Sequence, residues 1–520
     1  MKILYINPPK LESGLDAITV SAPLSLITIA AMVPEHDAKV VDFKVDRITK
    51  KQFRSELNRH DVVAITSMTP QIKSALKTAE LAKEQGCTTI IGGYHPTLAP
   101  DYVARHPGVD YAVRGEGEYT FRELIDFIDG NKENRALREI AGVSYKKSNN
   151  VIIHNEDRQL ECDLDKFPLP RRDLLRGKKY IHFGALSDGM ETSRGCPYSC
   201  KFCCITKMWK DLDGKIRYRT KSIKRIMQEL YDIDKKKDFV FFKDDNFTLN
   251  VKRTKKVLET IIESGITRNF GLGCQSRVDT IYRNPWLVNL FAKARFRQIF
   301  LGIESFHQQS LDAMNKKTTT PAMSQKVVQM LQDYGISIHG GIIIGYPGET
   351  KSMVRQTICF VKALKISLVQ FTPITAFPGT QFYDEMEEKG MITSHNFRDY
   401  DLFRPMMRTE QLSAQEIDKL VKEAYAAYYM WGGDYLKQIA MRYLNPFSKF
   451  KWLIKRIPKV IRSFLIGGGM MLHEQGVSED IISDELKNMT LKKIVTAKQM
   501  KQETPPVLTP IEAVSNDSWK

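Results

Sequence analysis

The sequence predicts an α/β protein made of an N-terminal doubly wound sheet, a partial (β/α)6 barrel and a helical C-terminal region. Three observations lead to this prediction: short β-rich runs alternate with helical patterns, glycine or polar residues follow most of the runs, and the alternation stops after Pro405. We expect the first unit to span residues 1–135, a linker residues 136–185, the barrel residues 186–395, and the helical, basic region with a frayed tail residues 396–520.

The composition is that of a globular protein, and its charge balance is strongly basic. Of the 520 residues, 42% are hydrophobic and 27% are charged, which excludes a disordered or collagen-like chain. Lysine and arginine number 78 against 61 acidic residues, a net charge of +17. Such a balance favours an anionic partner, which is nucleic acid, a phospholipid surface or an acidic substrate, although a solvated lysine-rich surface is the simpler alternative.

The cysteines indicate a metal site in a reducing compartment. Four of the eight fall within residues 196–204, whereas a disulfide framework spreads pairs along a small secreted chain. The N-terminus turns at Pro8-Pro9 too early for a signal peptide, and the uncharged stretch around Pro23 is interrupted by Pro, Ser and Thr, so it predicts a buried helix. We therefore expect a cytoplasmic protein.

The first sheet is predicted from five β-rich runs separated by helical patterns, an arrangement typical of parallel pairing. Ligands bind such sheets at the carboxyl ends of the strands, and small residues there let a large ligand approach the backbone. Here the strand exits carry Asn7, Ser67-Met68-Thr69, Gly92-Gly93 and Gly115-Glu116, which predicts a ligand site; glycines that only form tight turns are the alternative. The five runs are residues 3–6, 39–43, 62–66, 88–91 and 110–113.

This pattern resembles the cobalamin-binding domain, a Rossmann or flavodoxin-like fold in which Ser-x-Leu follows the third strand and Gly-Gly follows the fourth. Ser67-Met68-Thr69 and Gly92-Gly93 stand in those places. The chain lacks Asp-x-His-x-x-Gly in its first 60 residues, so we expect cobalamin without a histidine below cobalt, and His95 as a hydrogen-bonding residue; a related fold that binds no cobalamin is the alternative. The resemblance implies cobalamin contacts from Asn7, Ser67, Thr69, Gly92, Gly93, Gly115 and Glu116.

Residues 192–204 contain the most specific motif of the chain, Cys196, Cys200 and Cys203 in a C-x3-C-x2-C spacing. Three thiolates on one loop can bind three irons of a [4Fe–4S] cluster and leave the fourth iron open. Zinc is the alternative, but zinc sites usually present two cysteine pairs with a long spacer, and the sequence has no second pair. Cys204 is out of register with this spacing, and we expect it to be a small packed residue.

The spacing resembles that of the radical S-adenosylmethionine (SAM) superfamily, in which an aromatic residue such as Phe202 commonly precedes the third cysteine. The βα units that follow it fit the superfamily's partial TIM barrel, with its chemistry at the carboxyl ends of the strands. The resemblance implies that acids at these ends hold the methionine ammonium of SAM, that an arginine pairs with its carboxylate, and that a glycine-rich strand lies beside adenine. The residues in these places are Phe202, Asp244, Asp245, Arg277, Glu304 and Gly345.

Together the two resemblances point to the cobalamin-dependent radical SAM class, which includes hopanoid methylases, the anaerobic magnesium-protoporphyrin ester cyclase and archaeal tetraether-lipid ring synthases. They imply an enzyme that cleaves SAM reductively with electrons from a ferredoxin or flavodoxin. It would methylate an unactivated carbon of an apolar substrate, with a lipid favoured. Ring closure in a lipid or tetrapyrrole without methyl transfer stays open. An electron carrier and tRNA modification are weaker alternatives. The tRNA-modifying family needs a second cluster held by three N-terminal cysteines, whereas the first 160 residues contain only Cys87.

The stretch Tyr435–His473 predicts contact with a membrane surface. It holds eight lysine or arginine residues and no acid, with Phe, Trp and Ile between them. Such a sequence is typical of a helix lying on an anionic bilayer, which would place the protein peripherally on the inner face of the cell membrane. An amphipathic helix packed on the barrel is one alternative. RNA contact is another, and we do not expect a nucleic acid partner.

Overall fold

The computed structural model describes residues 1–9, 19–130, 136–147 and 151–430. The basic stretch Tyr435–His473 and the tail after residue 500 lie outside these ranges, so the membrane prediction keeps its sequence basis alone. Among the helices that the structure describes, none is long and apolar enough to cross a membrane.

Residues 1–154 contain the predicted doubly wound sheet. Its central strands are buried on both faces, as parallel strands between two layers of helices usually are. In chain order the elements are β1 (Lys2–Asn7), β2 (Thr19–Val20), α1 (Leu24–Ala31), β3 (Asp37–Asp42), α2 (Lys50–Leu57), β4 (Val62–Thr66), α3 (Ile72–Glu84), β5 (Thr88–Gly92), α4 (Tyr94–Leu98), α5 (Pro100–Ala104), β6 (Tyr111–Val113), α6 (Gly117–Ile128), β7 (Val143–Lys146) and β8 (Ile152–His154).

Seven of the described strands make this sheet, in the order β3-β1-β4-β5-β6-β7-β8. The first five are parallel, and their order is that of flavodoxin-like folds, which confirms the predicted class. Alternating residues of β1 pack into two hydrophobic cores, one on each face of the sheet. Leu4 and Ile6 pack on the side of α3, whereas Ile3 and Tyr5 pack on the side of α1 and α6.

The second sheet is the predicted barrel. Its elements are β9 (Ile181–His182), β10 (Ala185–Met190), β11 (Ser193–Arg194), α7 (Ile205–Met208), β12 (Arg219–Thr220), α8 (Ile223–Asp232), β13 (Phe239–Phe242), α9 (Val251–Ser264), β14 (Gly271–Arg277), α10 (Val278–Arg283), α11 (Trp286–Lys293), β15 (Phe296–Glu304), α12 (Gln308–Ala313), α13 (Pro321–Asp333), β16 (Ser337–Ile344), α14 (Lys351–Ala363), β17 (Leu368–Pro373), α15 (Gln381–Glu388) and α16 (Ala414–Tyr425). Short 3-10 helices cover Thr69–Gln71, Leu137–Glu139, Leu164–Lys166, Arg172–Leu175, Ile266–Arg268 and Phe397–Asp399, and a π-helix covers Ala426–Met430.

Within the described ranges, six parallel strands run in the order β17-β16-β15-β14-β13-β10, as expected for a (β/α)6 partial barrel. Two antiparallel strands, β9 and β2, extend the sheet beyond β10. In helices such as α9 and α14 the apolar residues recur at helical spacing and bury one face.

Residues 136–185, expected to be a linker, are more than a connection. They add β7 and β8 to the first sheet and β9 to the barrel sheet. These strands are two to four residues long, so they form because they pair with a neighbouring strand and not because of their local sequence. Residues 396–413 also differ from the helical expectation, because helix α16 begins only at Ala414. The division into domains at 135, 185 and 395 stays a prediction.

The chain that follows the barrel packs against the first sheet. Phe397, Tyr400 and Met406 belong to the same core as β1 and β4. The exit loop of β17 also approaches this side, because a Cβ on Gly379 would lie 2.4 Å from the carbonyl oxygen of Leu98. The two sheets are therefore held together by close packing as well as by chain connection.

We expect Gly379→Ala to weaken the contact between the two sheets more than Gly390→Ala. Both glycines have positive φ, +74° and +61°, so alanine strains the backbone at both positions, by about 1–2 kcal/mol. Only at Gly379 does the new methyl group also meet Leu98, since nothing lies within 4 Å of a Cβ at Gly390. Thermal unfolding and timed proteolysis of the two variants measure the difference. Equal unfolding midpoints and equal cleavage rates would contradict the packing described above.

Candidate active site

The three cysteines of the predicted cluster lie on one loop between β11 and α7. The loop begins at Gly195, whose φ is +92° and where a Cβ would lie 1.8 Å from the carbonyl oxygen of Arg217, so only glycine fits. Cys196, Cys200 and Cys203 are all partly exposed, and the Cys203 N–H donates to the Cys200 carbonyl at 3.0 Å. The loop contacts residues at the carboxyl ends of two barrel strands, because the Gly195 N–H donates to Asp245 and Arg277 lies beside Cys200.

The three thiols of this loop are the donor set that a [4Fe–4S] cluster uses. No three His, Cys, Asp or Glu side chains of the described residues are arranged to hold one metal ion. Cluster cysteines bind separate irons, whereas zinc ligands must converge on one point. Burial raises the pKa of the Cys196 thiol to about 11 and also raises that of Cys203.

Asp244 and Asp245 brace the start of the loop. Asp244 is fully buried and accepts hydrogen bonds from the Thr192 N–H at 2.7 Å and from the hydroxyls of Thr192 and Ser193. Asp245 accepts from the Gly195 N–H at 2.8 Å, and burial together with the charges of Glu191 and Asp244 raises its pKa to about 7. Their predicted contact with SAM stays a prediction, and for Asp244 these occupied oxygens do not favour it.

Arg277 and Glu304 approach the loop from the neighbouring strands. The Arg277 guanidinium lies 3.7 Å from the centre of the Tyr198 ring and 3.9 Å from Cys200 Sγ, and it pairs with Asp279 at 2.9 Å. It therefore braces the cluster loop, and pairing with the SAM carboxylate stays a prediction. Glu304 ends β15 at φ +65° and pairs with Lys316 at 2.8 Å.

The remaining residues predicted for SAM lie at the same rim. Phe202 is partly buried against the apolar cluster that contains Ile343 and Tyr346, at the end of β16. The Gly345 N–H donates to the Glu349 carboxylate at 3.1 Å, and a Cβ at Gly345 would meet Ile417 at 2.8 Å, so helix α16 packs directly on this turn. The structure thus brings five of the six predicted SAM residues to exits of parallel strands, with Phe202 on the cluster loop beside them.

The residues predicted for cobalamin meet at the carboxyl edge of the first sheet. Gly93 has φ +110°, and a Cβ there would lie 2.9 Å from the Ser67 carbonyl oxygen, so the exits of β4 and β5 touch through glycine. The Gly115 N–H donates to the Thr97 hydroxyl at 2.9 Å. Asn7 donates to Asp42 at 3.0 Å. This glycine-lined edge fits the close backbone approach that a large planar cofactor requires.

His95 is enclosed at this edge. Its side chain is fully buried, its ring lies 5.7 Å from that of Tyr102 and 4.7 Å from that of Phe397, and Nδ1 lies 3.3 Å from the Thr69 hydroxyl. Burial lowers its pKa to about 4, so the imidazole is neutral. These contacts agree with the hydrogen-bonding role expected from the sequence and place no imidazole on an open face.

A buried ion network joins the two edges, and sequence reasoning missed it. The Arg194 guanidinium pairs with Glu116 at 2.8 Å, with Glu118 at 2.7 Å and with Glu191 at 2.7 Å, and Arg219 pairs with Glu116 at 2.8 Å. Glu116 was predicted to contact cobalamin, and these two arginines now occupy its oxygens. The sequence signal that could have revealed this network is the pair of acids Glu116 and Glu118, at a strand exit that otherwise carries small residues.

The first domain also touches the helix that follows the cluster loop. Tyr94, directly after Gly92-Gly93, packs with Met208 and Trp209 at the end of α7. The predicted cobalamin edge and the cysteine loop therefore lie against each other.

Comparison with known proteins places the chain in a family. The B12 binding domain model matches residues 18–125 and the Radical SAM superfamily model residues 190–361. The uncharacterized methyltransferase PH0819 of Pyrococcus horikoshii is 32% identical over 468 residues, which cover 88% of this chain and 97% of that protein. The chain belongs to the cobalamin-dependent radical SAM family. It is therefore an enzyme, and the family implies a [4Fe–4S] cluster, SAM and cobalamin as its cofactors.

More distant relatives of this radical SAM enzyme differ in their reactions. The anaerobic magnesium-protoporphyrin IX monomethyl ester cyclase of Rubrivivax gelatinosus is 26% identical, and the match covers 90% of this chain and 83% of that protein. The hopanoid C-2 methylase of Rhodopseudomonas palustris is 25% identical, and the match covers 74% of this chain and 68% of that protein. The solved structure of OxsB, a cobalamin-dependent SAM radical enzyme, shares the fold with a TM-score of 0.66 at 18% identity, covering 94% of this chain and 75% of that one.

We expect Cys196→Ala, Cys200→Ala and Cys203→Ala each to lose the cluster and SAM cleavage, because each removes one iron ligand. The neighbouring Cys204→Ala is the matched control and should keep both. Iron and sulfide content, electron paramagnetic resonance after reduction, and 5′-deoxyadenosine formation measure the effect. Full SAM cleavage by the Cys200→Ala protein would contradict the assignment.

We expect Arg194→Gln to destabilise the contact between the cluster loop and the first domain. It leaves the buried carboxylates of Glu116 and Glu118 with less positive charge, and breaking such a network by removing one partner costs about 3–5 kcal/mol. Arg105→Gln is the control, because Arg105 pairs with Asp101 on the exposed surface. Thermal unfolding and retention of added cobalamin on gel filtration are the readouts. Identical behaviour of the two variants would refute this role of Arg194.

Proposed function

We propose that this enzyme methylates an unactivated carbon of an apolar, lipid-type substrate. The observation that carries the proposal is the facing of the two predicted cofactor edges, joined by Arg194 with Glu116 and by Tyr94 against α7. When bound, the reduced cluster with SAM supplies a radical that removes hydrogen from carbon, and cobalamin supplies a methyl group. A substrate held between the two edges would be within reach of both chemistries.

The residues of the chain would bind, orient and exclude water. In this proposal the cluster is held by Cys196, Cys200 and Cys203; SAM lies among Phe202, Asp245, Arg277, Glu304 and Gly345, with Asp244 bracing the loop; and cobalamin lies over Asn7, Ser67, Thr69, Gly92, Gly93 and Gly115. The apolar cluster at the ends of β16 and β17, which includes Met314, Ile343 and Ile374, gives this rim a dry wall. Exclusion of water protects a reactive intermediate from side reactions.

The relatives support an apolar substrate. Two of them are named as a hopanoid C-2 methylase and an anaerobic magnesium-protoporphyrin IX monomethyl ester cyclase. Peripheral association with an anionic membrane through Tyr435–His473 would deliver such a substrate, and a ferredoxin or flavodoxin would supply electrons.

Ring closure without methyl transfer is the second candidate, because the cyclase relative covers 90% of this chain. A tRNA-modifying role has less support. Cys87, the one cysteine in the first 160 residues, is buried with its thiol against the carbonyls of Leu57 and His60, so it offers no ligand for another cluster.

Product mass distinguishes the two candidates. The reconstituted enzyme is incubated anaerobically with extracted lipids, reductant and SAM labelled in its methyl group, with and without cobalamin. We expect a product that gains one CH2 and carries the label, and only when cobalamin is present. A product that loses two hydrogens and carries no label would replace methylation by ring closure, and an unlabelled product independent of cobalamin would exclude methyl transfer.

A further inference from the structure

The barrel contains a cavity that neither the cluster loop nor the strand exits account for. It has a volume of about 210 Å³ and lies on the barrel sheet, lined by residues of β10, β13, β14, β15 and β16, including Ser187, Phe241, Gln275, Phe300 and His339, and by residues at β2 and β9. On β14, Gln275 precedes the rim residue Arg277 by two positions, and on β15, Phe300 precedes the rim residue Glu304 by four. The cavity therefore lies below the predicted SAM site.

The walls of the cavity are aromatic and held in place. The His182 ring stacks on Phe239 with centres 4.6 Å apart and planes 8° apart, and the Phe300 ring meets His339 edge-on at 4.8 Å. A Cβ at Gly341 would lie 2.9 Å from the Phe300 ring, so this glycine leaves the space that the ring occupies. Such rigid walls favour a flat ligand, because aromatic rings pack best in stacked or edge-on arrangements.

The cavity presents no net charge to a ligand. Burial lowers the pKa of His182 to about 4 and that of His339 to about 3, so both imidazoles are neutral. Asp188 lines the wall, but Arg172 pairs with it at 2.7 Å. A charged ligand would lose its hydration here without finding a counter-charge, which is costly.

Three polar groups at the wall have no partner of their own. Within the described part of the chain, the Ser187 hydroxyl and the Gln275 side-chain amide make no hydrogen bond, and His339 Nε2 is buried without a partner. The His182 Nε2 is different, because it bonds Gln298 at 2.5 Å. A buried polar atom without a partner, such as His339 Nε2, costs free energy, so a ligand with a hydrogen-bonding heteroatom would be preferred over a hydrocarbon.

We propose that this cavity binds one uncharged ring of the substrate, of one or two fused cycles and with a hydrogen-bonding heteroatom. A cavity of about 150 Å³ suffices for benzene, so this one accepts a ring of somewhat larger size but not a whole polycyclic lipid. The inference rests on the proposed function, since it makes the cavity the part of the substrate site that selects one end of the molecule. The reacting carbon would then lie toward the rim.

Small aromatic probes test the cavity without any turnover. Saturation-transfer NMR and calorimetry on the reconstituted full chain compare phenol with toluene, benzoate and benzylammonium. We expect saturable binding of phenol, weaker binding of toluene, and none of either ion. Ser187→Leu should fill the cavity and weaken phenol binding by about tenfold or more, and His339→Leu should weaken it by about three- to tenfold through loss of one hydrogen bond. His395→Leu, at an exposed histidine, should bind as the native chain does.

Each variant is also assayed for SAM cleavage without substrate, which reports an intact cluster and an intact rim. If Ser187→Leu fails this assay, His339→Leu carries the test. Absence of saturable phenol binding, equal binding of phenol and benzoate, or phenol binding unchanged in both variants would overturn the inference. Phenol binding as expected, together with a product that is not methylated, would contradict the proposed function and leave the cavity assignment standing.

Discussion

The buried guanidinium of Arg194 is the interaction on which the placement of the two cofactor edges depends. It comes two residues before the first cysteine of the loop, yet two of its three carboxylate partners, Glu116 and Glu118, belong to the first domain. The rings of Phe167 and Trp209 enclose it at 5.3 and 5.8 Å. A buried ion network is stable only when its geometry is complete, so a shift of either domain would leave charges unpaired.

The architecture of the two sheets that this network joins also brings the predicted cofactor edges together. The central strands of both are parallel, and parallel strands bind ligands at their carboxyl ends. The edges can approach because glycine replaces larger residues where the backbone crowds: Gly93 against Ser67, Gly195 against Arg217, and Gly379 against Leu98. The acids that the sequence offers for SAM take part in this architecture as well, since Asp244 and Asp245 hold the loop that begins at Gly195.

Local pattern was enough to predict much of this from the sequence. The strand Val62–Thr66 has the predicted bounds, and a buried helix follows Pro23 as predicted, because each signal is contained in one short segment. What was missed depends on contacts between distant parts of the chain. The two-residue strands β2 and β9 exist only as paired partners, and Arg194 meets Glu116 across 78 positions. The cavity likewise depends on His182 reaching Gln298 across 116 positions.

The central claim is that the cobalamin edge and the cluster loop face each other in one active site. Electron paramagnetic resonance of the full chain, loaded with Co(II) cobalamin and carrying a reduced cluster, tests it most directly, because both centres are paramagnetic and their magnetic interaction falls steeply with distance. The account predicts that each signal is broadened or split when the other centre is present. Two signals that remain identical to those of the singly loaded protein would contradict it.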